Sequence, residues 1–88
     1  MPNPVNESQN YKHLTATTTV FTGVGNILGI FVASASATPT LAVSDGAGVL
    51  VNTFTPVSAT WYPLPFRFGT SLIVTISGTV DCTLSWGN

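Results

Sequence analysis

Thr40-Leu41-Ala42-Val43-Ser44-Asp45-Gly46-Ala47-Gly48-Val49-Leu50-Val51-Asn52-Thr53-Phe54 is the stretch whose reading decides the fold. Two runs of apolar and hydroxyl-bearing residues, Thr40 to Ser44 and Val49 to Phe54, flank Asp45-Gly46-Ala47-Gly48. Asp and Gly tolerate the positive φ that a tight hairpin loop requires, so the segment reads as two antiparallel strands.

The same alternation of β-branched or aromatic runs with turn residues continues on both sides. Upstream, Leu14 to Phe21 is a Thr-rich run ending at Thr22-Gly23-Val24-Gly25-Asn26, where two glycines permit a reversal. Ile27 to Ala35 is apolar on both faces and reads as a central strand covered on both sides. Its Gly29 predicts a bend or a close neighbour. Downstream, Thr60-Trp61-Tyr62-Pro63-Leu64-Pro65 carries two prolines that cannot donate ladder hydrogen bonds, which confines it to an edge. Leu72 to Ile76 and Val80 to Trp86 read as two further strands joined through a turn at Ser77-Gly78-Thr79. Short strands with turn signals every 8–12 residues predict an all-β fold, specifically a small antiparallel β-sandwich of six to eight strands. The preferred topology is jelly-roll-like, with an immunoglobulin-like order as the alternative.

The first 13 residues read differently. They are polar, include Pro2 and Pro4, and hold Glu7 and Lys12. They are expected to form an extended N-terminal arm, 1–13, ahead of a sandwich domain at 14–88, with Val5 and Tyr11 as its docking side chains.

An 88-residue chain has room for one domain and a thin core. Domains of this size lean on disulfides, metals or oligomerisation. Cys82 is the sole cysteine, so no internal disulfide can form, and with His13 the sole histidine a thiolate zinc site falls short of four ligands. Oligomerisation is what remains.

Only 6% of the residues are charged, against roughly 25% in an ordinary soluble domain, and Thr and Ser make up 14 and 8 positions instead. Such a surface favours association. With Lys12 and Arg67 the only Lys or Arg side chains, a nucleic-acid role lacks its main source of affinity. No run reaches the ~20 apolar residues of a membrane-spanning helix. Met1 to Ser8 lacks the basic start and apolar stretch of a secretory leader, and the free Cys82 agrees with synthesis in a reducing compartment.

Catalytic chemistry finds little to work with. His13, Cys82, Asp45, Asp81 and Glu7 show no spacing that joins a nucleophile, base and orienter. Cys82 alternates with Leu84 and Trp86 as a small core residue does. Asp45 and Asp81 read as turn residues rather than a carboxylate pair. Gly23-Val24-Gly25 and Gly46-Ala47-Gly48 open no helix and so lack a phosphate cradle. The expectation is a protein that is not an enzyme and takes no metal or cofactor. The aromatic residues are concentrated late in the chain, and Trp61 and Tyr62, with Arg67 between Phe66 and Phe68, join Val5 and Tyr11 as candidate protein-interface residues. A sugar-stacking platform on Trp61 and Tyr62 is the competing reading.

From Thr17 to Trp86 the chain resembles a family of small bacteriophage virion proteins. The resemblance is carried by Thr17-Thr18-Thr19, Gly23-Val24-Gly25, Ile27-Leu28-Gly29-Ile30, Leu41-Ala42-Val43-Ser44-Asp45-Gly46, Pro63-Leu64-Pro65-Phe66, Leu72-Ile73-Val74 and Ser77-Gly78-Thr79. It implies a capsid decoration or cement protein, made in the host bacterial cytoplasm and bound as a trimer or other ring to the major capsid protein at the virion surface. A neck or tail protein, or a carbohydrate-binding fibre module, is the alternative.

Overall fold

The computed structural model describes residues 10–87. Among them the elements are β1 (Asn10–Leu14), β2 (Thr18–Thr22), β3 (Gly25–Asp45), β4 (Gly48–Phe54), β5 (Thr60–Pro63), β6 (Arg67–Phe68) and β7 (Ser71–Gly87), with no helix. All pairings are antiparallel and belong to one sheet, ordered β1-β7-β3-β4, with β2 also on β7 and β5 and β6 also on β3. The fold is all-β and antiparallel, as the alternation of the sequence predicts.

Its architecture is a single sheet curled into a half-barrel, built on two long strands. Ile27–Ala35 and Thr40–Ser44, expected as separate strands, are one 21-residue strand, β3. Leu72–Ile76 and Val80–Trp86 are likewise one 17-residue strand, β7. Ser77-Gly78-Thr79 is therefore a bend inside a strand and not a hairpin turn, and Asp81 lies on a strand. The physical reason lies in the register. Ser36 pairs with Thr79 and Thr40 with Ser77, so three residues of β3 stand opposite Gly78 alone. Extra residues on one strand make a bulge that bends the ladder without ending it. Thr38 at φ 54° and Gly78 at φ 77° absorb the curvature.

The bend gives the sheet two halves. One holds β1, the C-terminal half of β7, the N-terminal half of β3, β5 and β6. The other holds β2, β4 and the remaining halves of β3 and β7. Each half buries its concave face against the other. Phe21 of β2 meets Trp86 of β7 with ring centroids 6.2 Å apart and Phe68 of β6 edge-on at 6.0 Å, while Phe54 of β4 meets Tyr62 of β5 at 5.2 Å. Ile30, Val32, Leu41, Val43, Phe68, Leu72, Val74, Cys82 and Leu84 are wholly buried between them. Full burial of each large apolar side chain contributes about 1.5–3 kcal/mol.

The predicted hairpin joins β3 to β4, with Asp45 opposite Gly48. Asp45 does more than turn the chain. Its Oδ2 accepts from the Gly69 amide at 2.8 Å, and its Oδ1 accepts from the amides of Ala47, Thr70 and Ser71 at 3.3, 3.2 and 3.4 Å. This clasp fixes the entry to β7 against the hairpin. The Gly69 amide above all, helped by the other three, holds the carboxyl below the usual aspartate value against the opposing effect of desolvation.

Residues 10–13 of the expected arm, 1–13, are strand. Asn10 to Leu14 pair residue by residue with Trp86 to Cys82, so the polar-looking Tyr11, Lys12 and His13 are an edge strand. All three side chains are exposed, on both faces of that edge, and only Leu14 at its end is buried. Val5 lies outside the described residues, as does the rest of 1–9.

Candidate functional site

The half of the sheet containing β1, β5 and β6 presents a convex outer face. Successive side chains of a strand alternate between faces, so the register defines what lies on it. One row runs Tyr11, Ser85, Gly29, Pro63 across β1, β7, β3 and β5; the next runs His13, Thr83, Phe31, Trp61. Asp81 and Ser34 follow beyond them. At the other end Phe68 is buried, so Arg67, its neighbour in β6, points outward opposite Asn26.

Three aromatic side chains stand on this face with large exposed fractions: Tyr11 at 78%, Trp61 at 45% and Phe31 at 43%. Trp61 leans across β3. A Cβ placed on Gly29 would come within 2.5 Å of both Cη2 and Cζ2 of the indole, so the ring occupies the space a side chain at 29 would fill. Gly29 thus has the close neighbour that its place in a strand predicts. The hydroxyl-bearing Thr83 and Ser85 lie between Tyr11 and the Trp61–Phe31 pair.

Charges sit at the rim. His13 Nε2 lies 2.8 Å from Asp81 Oδ1, tying β1 to β7, and both side chains are about half exposed. Arg67 marks the opposite end. Aromatic side chains on β1, β3 and β5 thus flank the hydroxyls of β7, with the charged groups at the margins; exposed Trp and Tyr are residues favoured in protein contacts.

Of the candidate interface residues, the fold brings Tyr11, Trp61 and Arg67 onto this one face. Tyr62 points the other way: it is half-buried against Phe54, and its hydroxyl accepts from the Val57 amide at 2.9 Å, which anchors the loop before β5. Neighbours in a strand cannot share a face, so Trp61 and Tyr62 do not form a joint platform. Phe31 was missed by sequence reasoning, which reads β3 as covered on both sides. Only register with Trp61 reveals its exposure, and no local signal carries that. The His13–Asp81 pair joins residues 68 apart and is equally silent in the sequence.

Elsewhere, Cys82 is buried, with its Sγ 3.7 Å from the Leu14 carbonyl oxygen. Desolvation, and then the charge of Asp81, push its thiol up to about 11, which keeps it protonated and unreactive. Among the described residues no three His, Cys, Asp or Glu side chains gather closely enough to hold a metal. No helix of the described residues is long and apolar enough to cross a membrane.

Compared with protein-family models, curated proteins and solved structures, the chain finds no match.

Proposed function

We propose that this chain is a bacteriophage virion structural protein, a capsid decoration or cement protein that docks on the lattice of the major capsid protein. The observation that carries the reading is the outer face: Tyr11, Phe31 and Trp61 exposed together on a chain with five charged residues in 88. A surface of that kind gains stability by being covered, and a ligand that binds only the assembled shell stabilises it by mass action without any chemistry.

Four strands at ~4.8 Å and four rows at ~6.7 Å make the face roughly 20 by 25 Å, or about 500 Å². A stable interface buries about 800 Å² per partner. One copy therefore binds weakly, and firm attachment requires several copies acting together, as a trimer or other ring supplies. On this reading the curled sheet is a reduced jelly-roll-like sandwich in which two halves of one sheet stand for two layers. The capsid surface is its place of work.

The free edges of β4 and β5 are poorer contact sites. Against β3, β4 shifts register twice, between Leu41 and Val43 and between Val43 and Ser44, and β5 ends in Pro63. Bulges and prolines are the devices by which edges resist strand addition.

A second reading, a carbohydrate-binding module, draws on Thr83 and Ser85, whose hydroxyls lie between aromatic rings. A glycan array separates the two. Saturable glycan binding lost in Trp61→Ala, with head binding intact, sinks the decoration reading; head binding lost in Trp61→Ala, with no glycan bound, supports it.

A further inference from the structure

We propose that Gly29 and Trp61 act as one unit, a preset anchor in which Gly29 is a positioning residue, and that the surface it meets is an apolar, uncharged patch of a protein. The inference rests on the docking role of the outer face and says how that face is made ready.

Trp61 is on β5, a four-residue strand ending in Pro63 that pairs only with β3. An exposed indole on so short an edge strand has several rotamers open to it, and fixing one on binding costs about 0.5–1.5 kcal/mol. Gly29 removes that freedom in advance. Because it has no Cβ, the far edge of the indole settles over its Cα, and the ring lies along the sheet with its other side to solvent. Aromatic cover of a strand glycine is a recognised means of stabilising such a position. The fit is tight on the backbone as well: a Cβ at 29 would stand 2.7 Å from the Tyr62 carbonyl oxygen, so any side chain there displaces both the ring and β5.

The chemistry of the partner follows from the charges. The centre of the face offers Phe31, Trp61, Thr83 and Ser85 and no ionised group. Asp81 is already met by His13, and Arg67 stands at the margin. A charged partner surface would be desolvated against this centre with nothing to pair it, at a cost that a neutral surface avoids.

The test uses the full chain labelled with 5-fluorotryptophan, and phage heads prepared from a mutant lacking the protein. In the fluorine NMR spectrum the Trp61 resonance, assigned by its loss in Trp61→Ala, lies away from the unfolded position, and Gly29→Ala moves it while the Trp86 resonance stays. Head binding weakens roughly 30-fold in Trp61→Ala, as for an interface hot spot, and roughly tenfold in Gly29→Ala. Gly29→Ala costs less in the Trp61→Ala background than in the unaltered chain, because the clash with the ring is gone and only that with the Tyr62 carbonyl remains. Binding of the unaltered chain changes less than about twofold between low and high salt.

A Trp61 resonance at the unfolded position in the unaltered chain, a measurement that needs no variant to fold, overturns the preset anchor. So does an unmoved resonance in Gly29→Ala. Binding that falls steeply with salt overturns the neutral partner. Trp61→Ala binding as well as wild type removes the docking reading itself, which none of the other outcomes does.

Discussion

Phe68→Ala should be among the most damaging single substitutions in this chain. Phe68 is wholly buried although its strand, β6, is two residues long, so the ring holds the segment in place rather than the reverse. It lies over Gly25, where an added Cβ would come within 2.7 Å of its Cζ, and meets Phe21 edge-on at 6.0 Å. Phe21 in turn reaches Trp86. Removing the ring empties the space where the two halves of the sheet meet and takes an edge-on aromatic contact with it. Buried Phe→Ala changes cost about 3–5 kcal/mol, of which the aromatic geometry is about 0.5–1.5. In a domain this small each kcal/mol lowers the melting temperature by about 4–8 °C, so a fall of roughly 12–40 °C is expected. Urea titration followed by circular dichroism, with calorimetry alongside, measures it. Phe31→Ala is the control: its ring is half exposed, and the loss should not exceed about 1.5 kcal/mol. A loss below about 1 kcal/mol for Phe68→Ala, or equal losses for the two, would refute the account of where the halves join.

Three further expectations follow from single side chains or segments. The carboxyl of Asp45 is held below its unfolded value, so its contribution is present above the ordinary aspartate range and lost as pH falls through the lower, folded value; Asp45→Asn should melt earlier at neutral pH, and the gap should close in acid. Thermal melts across pH 2–7 decide this, and a gap that widens in acid contradicts the clasp. Cys82 should resist a thiol reagent such as dithionitrobenzoate while folded and react as urea unfolds the chain, tracking the dichroism curve; rapid labelling without urea would show that its burial is wrong. Deleting residues 1–9, which spares β1, should take the mass seen by light scattering from that of the proposed trimer or larger ring to that of a monomer, and lower the melting temperature with it. An unchanged mass would remove the N-terminal segment from the subunit contact.

Much of this fold is written locally. Asp45-Gly46 marks the hairpin, the alternation of Cys82, Leu84 and Trp86 marks a strand with one buried face, and Pro63 marks an edge. What the sequence conceals is continuity. Ser77-Gly78-Thr79 has the composition of a turn, and only the opposing Ala37-Thr38-Pro39, an extra-long stretch on the partner strand, makes it a bend. A turn and a bulged bend ask for the same residue types, so composition cannot separate them. The same limit explains the expected arm: Tyr11, Lys12 and His13 look like a solvated terminus because all three side chains of this edge strand are exposed. At the site, Tyr11, Trp61 and Arg67 were legible as exposed aromatic and cationic side chains. Phe31 and the His13–Asp81 pair were not, since each depends on which strand lies beside β3 and β7. Tyr62 was misread for the opposite reason, because adjacency in sequence suggests a shared platform that the pleat forbids.

The most direct test is to count this protein in density-gradient fractions of purified virions by quantitative mass spectrometry, for the wild type and for phage carrying Trp61→Ala. The account predicts the wild-type chain in the head fraction, at copy numbers that scale with the major capsid protein, and the Trp61→Ala chain folded but left in the unassembled pool. Wild-type protein confined to tails or missing from virions, or Trp61→Ala protein in heads at the wild-type level, would contradict it.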